Sequence, residues 1–203
     1  MKQVYRGKTA FVLAWVWLAF VAFNVWDLIS KYNGKPSLVA LAVLGVLTAL
    51  VYVVALRPAT VFTEAELVAR NPFRTTYMPW TSIEDVTVSH AIGLHYGEEQ
   101  VLRLWTPMSS ARERAKAQRR GMSGQRRGRL SAEPVLSKGE QAAAEAFAGK
   151  THADWVGDQI RERAESARRR DGEAAPVRAV WSYDAIAVLA VAVALVIVAI
   201  VTP

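Results

Sequence analysis

Residues 9–29 read TAFVLAWVWLAFVAFNVWDLI, an apolar run long enough for a helix to cross the roughly 30 Å of hydrocarbon in a bilayer. Residues 37–56 and 181–201 form two more runs of the same kind. A helix packed on a water-soluble core keeps a polar face, whereas these segments are apolar all round. The first run follows Lys2, Arg6 and Lys8, as the core of a signal peptide would. It is too long for one, however, and it leaves through Asn24, Trp26 and Asp27 without a small-residue cleavage site. All three runs are expected to be retained spans of an integral membrane protein.

The bulk composition agrees. The 203-residue chain is 52% hydrophobic yet carries 25 Lys and Arg against 18 Asp and Glu, and the two classes lie in separate stretches. With no cysteine, a disulfide framework and a thiolate zinc site are both excluded. The abundance of Ala, Val and Arg resembles that of high-GC bacterial proteins.

Cations near the span ends predict orientation. Lys2, Arg6, Lys8, Arg57, Arg70, Arg74, Arg168, Arg169, Arg170 and Arg178 fall on one side, and only Lys31 and Lys35 on the other. The expected location is the cell membrane, multi-pass, with the N-terminus and residues 57–180 cytoplasmic and the C-terminal tail outside. Residues 1–56 would be an antiparallel hairpin closed by the turn at residues 31–36. Small residues four apart, Gly45 with Ala49 and Ala190 with Ala194, offer positions for close helix contact.

Between the second and third spans, residues 57–108 read as a β domain. Runs at 59–63, 66–71, 75–80, 83–90 and 100–105 are β-prone, with turn chemistry at Asn71-Pro72 and Tyr96-Gly97-Glu98. Alternation shows in Val86 and Val88 and then in Leu102 and Trp105, and Trp80, Ile83 and Val86 are expected on one buried side. Residues 109–136 form a basic insert, expected to be largely disordered with a helix at most over 111–120. Residues 137–170 return to helical patterning, with capping-box spacings at Ser137/Glu140 and Thr151/Asp154. Trp155, Val156, Ile160 and Ala164 give the second of these helices an apolar stripe. Residues 171–180 read as a linker and 181–203 as the last span.

The residues Arg57-Pro58-Ala59-Thr60-Val61, Leu67-Val68-Ala69-Arg70-Asn71-Pro72-Phe73-Arg74, Pro79-Trp80-Thr81-Ser82-Ile83-Glu84-Asp85-Val86 and Leu102-Arg103-Leu104-Trp105 resemble the bacterial pleckstrin-homology (PH)-like domains. The likeness is to membrane-anchored members of actinobacterial type, in which a two-helix hairpin precedes the domain. The resemblance implies an α+β membrane protein: three transmembrane helices and a small antiparallel β domain capped by a helix. Asn71, Pro72, Pro79, Trp80, Ile83 and Trp105 would be the structural motif of that domain. Five strands are legible where the full fold has seven.

Candidate chemistry is sparse. PH domains that grip phosphoinositides use cations in the first hairpin loop, but here that loop is Thr63-Glu64-Ala65-Glu66, whose carboxylates repel a phosphate. In the basic insert, Arg112, Arg114, Lys116, Arg119, Arg120, Arg126, Arg127 and Arg129 are candidates for contact with anionic lipid. A solvated tether whose charge keeps it inside is the competing reading. The absence of aromatic residues in the insert argues against nucleic acid. His90 and His95, five apart, would point to opposite faces of a strand, and the adjacent Glu84 and Asp85 diverge, so neither pair builds a metal or catalytic site. Asn24 is expected to donate to a neighbouring helix, and Asp27 and Asp184 to lie at the interfaces. No cofactor and no enzyme activity are expected. The expected role is interaction, docking a protein partner or a second copy at the inner membrane surface. The alternatives are an accessory subunit of a transport or envelope-building complex, or an anionic-lipid module working through the basic insert.

Overall fold

In a computed structural model of the chain, residues 2–127 and 149–202 are described. They form two compact units, one from residues 1–78 with 176–203 and the other from 79–175.

With elements numbered in chain order, the first unit contains β1 (Gln3–Tyr5), α1 (Lys8–Ser30), α2 (Lys35–Val51), β2 (Ala59–Phe62), β3 (Glu66–Arg70) and β4 (Arg74–Pro79). It is completed by β8 (Arg178–Trp181) and α5 (Tyr183–Val201). A π-helical turn, Tyr52–Leu56, extends α2. The helices α1, α2 with its extension, and α5 are long and apolar enough to cross a membrane. The strands form one sheet in the order β1-β2-β3-β4-β8. Val4 stands opposite Val61, and Arg74 opposite Trp181. Because β1 precedes α1, β2 follows α2 and β8 precedes α5, this sheet draws together the start of α1, the end of α2 and the start of α5.

Among the helices, α2 packs closely on α5. Ala42 and Ala49 of α2 and Ala185, Ala192 and Ala199 of α5 are all buried and recur every seven residues. That period keeps one seam facing a partner helix, and small side chains in lipid let the backbones approach. A Cβ on Gly45 would come within 2.7 Å of Leu195 Cδ1. The expected contact positions on α2, Gly45 and Ala49, do face the seam, but Ala190 and Ala194 are exposed. The seam on α5 follows the seven-residue repeat, which an i, i+4 pair cannot express.

The second unit holds β5 (Asp85–Val88), β6 (Ala91–Tyr96) and β7 (Gln100–Met108) in a sheet of that order, and the helices α3 (Ala111–Arg127) and α4 (His152–Asp171). Its core is a layer of α4 on the sheet: Val156, Ile160 and Ala164 are buried, as are Val86, Ile92, Leu94 and Leu104. Thr151 and Asp154 form the expected capping box at the start of α4. Arg161 Nη2 donates to the Val86 carbonyl at 2.6 Å, fixing α4 on β5.

Several sequence expectations change. The strands missed are β1, β6 and β8, and the expected linker at 171–180 contains most of β8. Short edge strands of three and four residues carry too little alternation to be read. The basic insert is helical over Ala111–Arg127, beyond the expected limit at 120. The remainder of that insert and the helix expected after Ser137 lie outside the described residues. Trp105 is 39% exposed, whereas Leu104 is buried. Alternation along β7 puts Leu102 and Leu104 inward and Trp105 outward. The boundary expected at Arg57 falls inside the first unit.

Gly157 shows how closely α4 approaches the sheet, since a Cβ there would lie 2.5 Å from Val88 Cγ2. Valine is stiff about χ1 and cannot easily turn aside. Gly157→Ala is expected to lower stability by about 1–2 kcal/mol, the overpacking cost outweighing the gain in helix propensity. Thermal unfolding in detergent checks this, and adding Val88→Ala should restore most of the loss.

Candidate functional site at the helix–sheet junction

A polar cluster in the first unit is built around Arg57. The π-turn at the end of α2 closes with the Arg57 amide donating to the Tyr52 carbonyl at 2.9 Å. This wider turn carries Arg57 off the apolar face of α2 and toward the sheet. The Arg57 side chain is only 6% exposed. A buried guanidinium must have its N–H groups occupied. Nε donates to Asp184 Oδ2 at 2.8 Å, Nη2 donates to Thr75 Oγ1 at 3.0 Å, and Nη1 donates to the Asn71 carbonyl. Tyr52 Oη adds a second bond to Asp184 Oδ2, at 3.1 Å. One side chain thus joins the end of α2, the start of α5, the β3–β4 turn and β4.

The neighbouring edge is aromatic. The Arg74 guanidinium lies 4.7 Å from the centre of the Trp181 ring directly across the β4–β8 ladder. Arg178 lies 5.6 Å from the Tyr77 ring three positions along the same ladder. The Ser182 amide donates to the Phe73 carbonyl at 3.0 Å.

The expected motif residues divide between local roles. Asn71 receives Arg57 on its carbonyl, and its amide donates to the Arg74 carbonyl at 2.9 Å, closing the turn that Pro72 stiffens. Pro79 ends β4 and leads into a 3₁₀ turn, Trp80–Ser82. Trp80 and Ile83 are buried, and Arg163 of α4 stands 5.6 Å over the Trp80 ring.

Of the basic candidates, Arg112, Lys116 and Arg119 are exposed on α3. Arg114 is half-buried and donates through Nε to Ser109 Oγ at 2.9 Å. The backbones of Arg120, Arg126 and Arg127 continue α3, and Arg129 lies outside the described residues. Among the described residues no group of three or more His, Asp or Glu side chains is placed to hold a metal ion. His95 Nε2 lies 3.2 Å from Thr87 Oγ1, and His152 stacks on Trp155 at 6.0 Å.

Within the helices, Asn24 Nδ2 donates to the Phe20 carbonyl of its own helix at 2.7 Å, not to a neighbour. The carbonyl one turn back is nearer to a short side chain than any other helix is. Asp27 pairs with Lys31 at 2.6 Å. A groove of about 380 Å³ lies among α1, α2 and α5, and Thr48 is the one polar side chain lining it. Its hydroxyl donates to the Leu44 carbonyl at 2.6 Å and accepts from Trp17 Nε1 at 3.2 Å.

The Arg57 cluster was the functional-looking feature that sequence reading missed. Its one signal was positional: Arg57 directly follows one apolar run, and Asp184 opens another at the same expected depth. Compared with models of protein families, with curated proteins and with solved structures, the chain matches none.

Removing Arg57 takes a donor from the Thr75 hydroxyl and the Asn71 carbonyl and leaves Asp184 with Tyr52 but no paired cation. Arg57→Ala is expected to destabilise the protein by about 3 kcal/mol. Asp184→Asn should cost about 1 kcal/mol, because that carboxylate is half-exposed and its attraction is screened. Arg57→Lys should fall nearer to alanine than to arginine, since a point charge cannot fork to three acceptors. A double-mutant cycle over Arg57 and Asp184, read by thermal unfolding in detergent, checks this order.

Proposed function

We propose that this chain is a non-enzymatic, three-span membrane protein that holds a PH-like domain at the cytoplasmic surface as an interaction module. The observation that carries the reading is the five-stranded sheet. Three of its strands adjoin the three apolar helices, which supports a topology with the start of α1, the end of α2 and the start of α5 at one face of the bilayer. The excess of Lys and Arg at that face supports its assignment to the cytoplasm.

Strand count supports the PH-like assignment. β1 to β4 run consecutively in one sheet and β5 to β7 in another, followed by α4 packed on the second. That makes seven strands and a closing helix, with the membrane hairpin inserted between strands one and two. β8 is an addition at the edge.

Two features favour docking over transport. The groove among the helices is apolar and its one hydroxyl is already bonded, so it offers no wet path for a polar solute. On β7, Val101, Trp105 and Met108 are 45%, 39% and 55% exposed. Aromatic and methionine side chains in this setting suit a protein interface. The occupant of that surface is a protein partner or a second copy of the chain.

Absence of cysteine makes the topology testable with single introduced thiols. In intact cells a membrane-impermeant maleimide should label Asn33→Cys and leave Ser110→Cys unlabelled until permeabilisation. The opposite pattern would invert the orientation, and release of the protein by carbonate washing would end the membrane reading. Affinity purification in mild detergent, with and without Arg112–Arg129, tests the interaction role. A protein partner or a differently tagged copy should co-purify with the intact chain and be lost with Val101→Ser/Trp105→Ala. If nothing co-purifies under any condition, docking loses its support.

A further inference from the structure

We infer that the tip of the β3–β4 hairpin, Arg70-Asn71-Pro72-Phe73-Arg74, forms with Trp181 and Tyr183 a binding surface for the phosphate headgroups of anionic membrane lipids. The inference rests on the membrane-spanning reading, and it assigns lipid contact to residues other than those of the basic insert.

Depth is set by three bonds. Arg57, at the end of α2, holds the Asn71 carbonyl and Asp184, while the Ser182 amide holds the Phe73 carbonyl at 3.0 Å. Ser182 directly precedes α5. The hairpin tip is therefore fastened to the ends of two spans, at the level where hydrocarbon gives way to headgroups. At that depth the exposed side chains are of the kinds an interface selects. Phe73, Trp181 and Tyr183 are 48%, 55% and 78% exposed, and Arg70 and Arg74 are also exposed. Aromatic rings concentrate at the membrane–water boundary because one part of each is apolar and another polar.

Charge decides what the surface takes. Two arginines flank the tip, and Arg74 is pre-oriented by its ring contact with Trp181. A guanidinium held over a ring can still turn N–H groups onto phosphate oxygens. Asp184 is the acidic side chain bonded into this junction, and both Arg57 and Tyr52 hold its carboxylate. Its charge is offset by Arg57, so the two outer arginines keep a net attraction for anions. A lipid phosphate, held at this depth by its own chains, matches the surface, whereas a free phosphate lacks the apolar contact with Phe73 and the exposed rings.

The test uses the full chain in nanodiscs of phosphatidylcholine, alone or mixed with phosphatidylglycerol, and reads retained lipid by native mass spectrometry. Wild type should retain phosphatidylglycerol over phosphatidylcholine by about fivefold for each arginine engaged. Arg70→Gln/Arg74→Gln should lose most of that preference while entering neutral discs as the wild type does. Inorganic phosphate at equal concentration should not displace the lipid. If the double variant keeps the full preference, or only deletion of Arg112–Arg129 abolishes it, the assignment is overturned. Should the double variant fail to insert, Phe73→Cys bearing an environment-sensitive fluorophore decides. Quenching by a headgroup-attached nitroxide supports the site, and quenching only by a water-borne agent overturns it. Failure of wild type to enter even neutral discs would instead refute the membrane reading.

Discussion

A buried arginine governs the first unit. Once the Arg57 side chain leaves water, each of its N–H groups must find an acceptor, and those acceptors come from α5, from the β3–β4 turn and from β4. None of these can shift alone without orphaning a donor of a permanent charge. The π-turn ahead of Arg57 belongs to the same constraint, since a regular α-helical end would leave the side chain on a different heading. At position 75 the bond calls for a side-chain hydroxyl, whereas at position 71 it fixes the placement of the backbone carbonyl.

Legibility in the sequence followed the strength of each local pattern. Three apolar runs of span length are unambiguous because lipid tolerates little else, and the helices end within a few residues of where composition changes. The Thr151/Asp154 capping box was readable because both its bonds are local. β1 was not, since Gln3, Val4 and Tyr5 become a strand only by pairing with residues 60–62, across the whole of the two apolar helices between them. β8 was hidden in the same way, as its partner β4 lies about a hundred residues earlier. Along β7, alternation gives the inward positions to Leu102 and Leu104 and turns Trp105 outward.

The candidate site was the least legible part. Arg57 and Asp184 were each visible, one as a topogenic cation and the other as an interfacial acid, but nothing local joins residues 127 apart. The clearest charge feature, the run from Arg112 onward, drew notice through composition. In the structure its described portion is a helix with exposed cations, and Arg114 is turned back onto Ser109. Charge density therefore marked a place where cations are numerous, while the cations held in a specific geometry lay elsewhere.

Short connections sharpen what the first sheet can do. Arg6 and Gly7 separate β1 from α1, Arg57 and Pro58 separate the π-turn from β2, and Ser182 alone separates β8 from α5. At a maximum of about 3.6 Å for each residue, these connections confine the strand ends to within about 11 Å of the helix ends. A domain on a flexible tether samples a volume and meets its partners by reach. This sheet has no such freedom: its strand ends stay beside the ends of the three apolar helices. On the membrane-spanning reading proposed above, a role that depends on position at the bilayer suits such a scaffold better than one that depends on capture from solution.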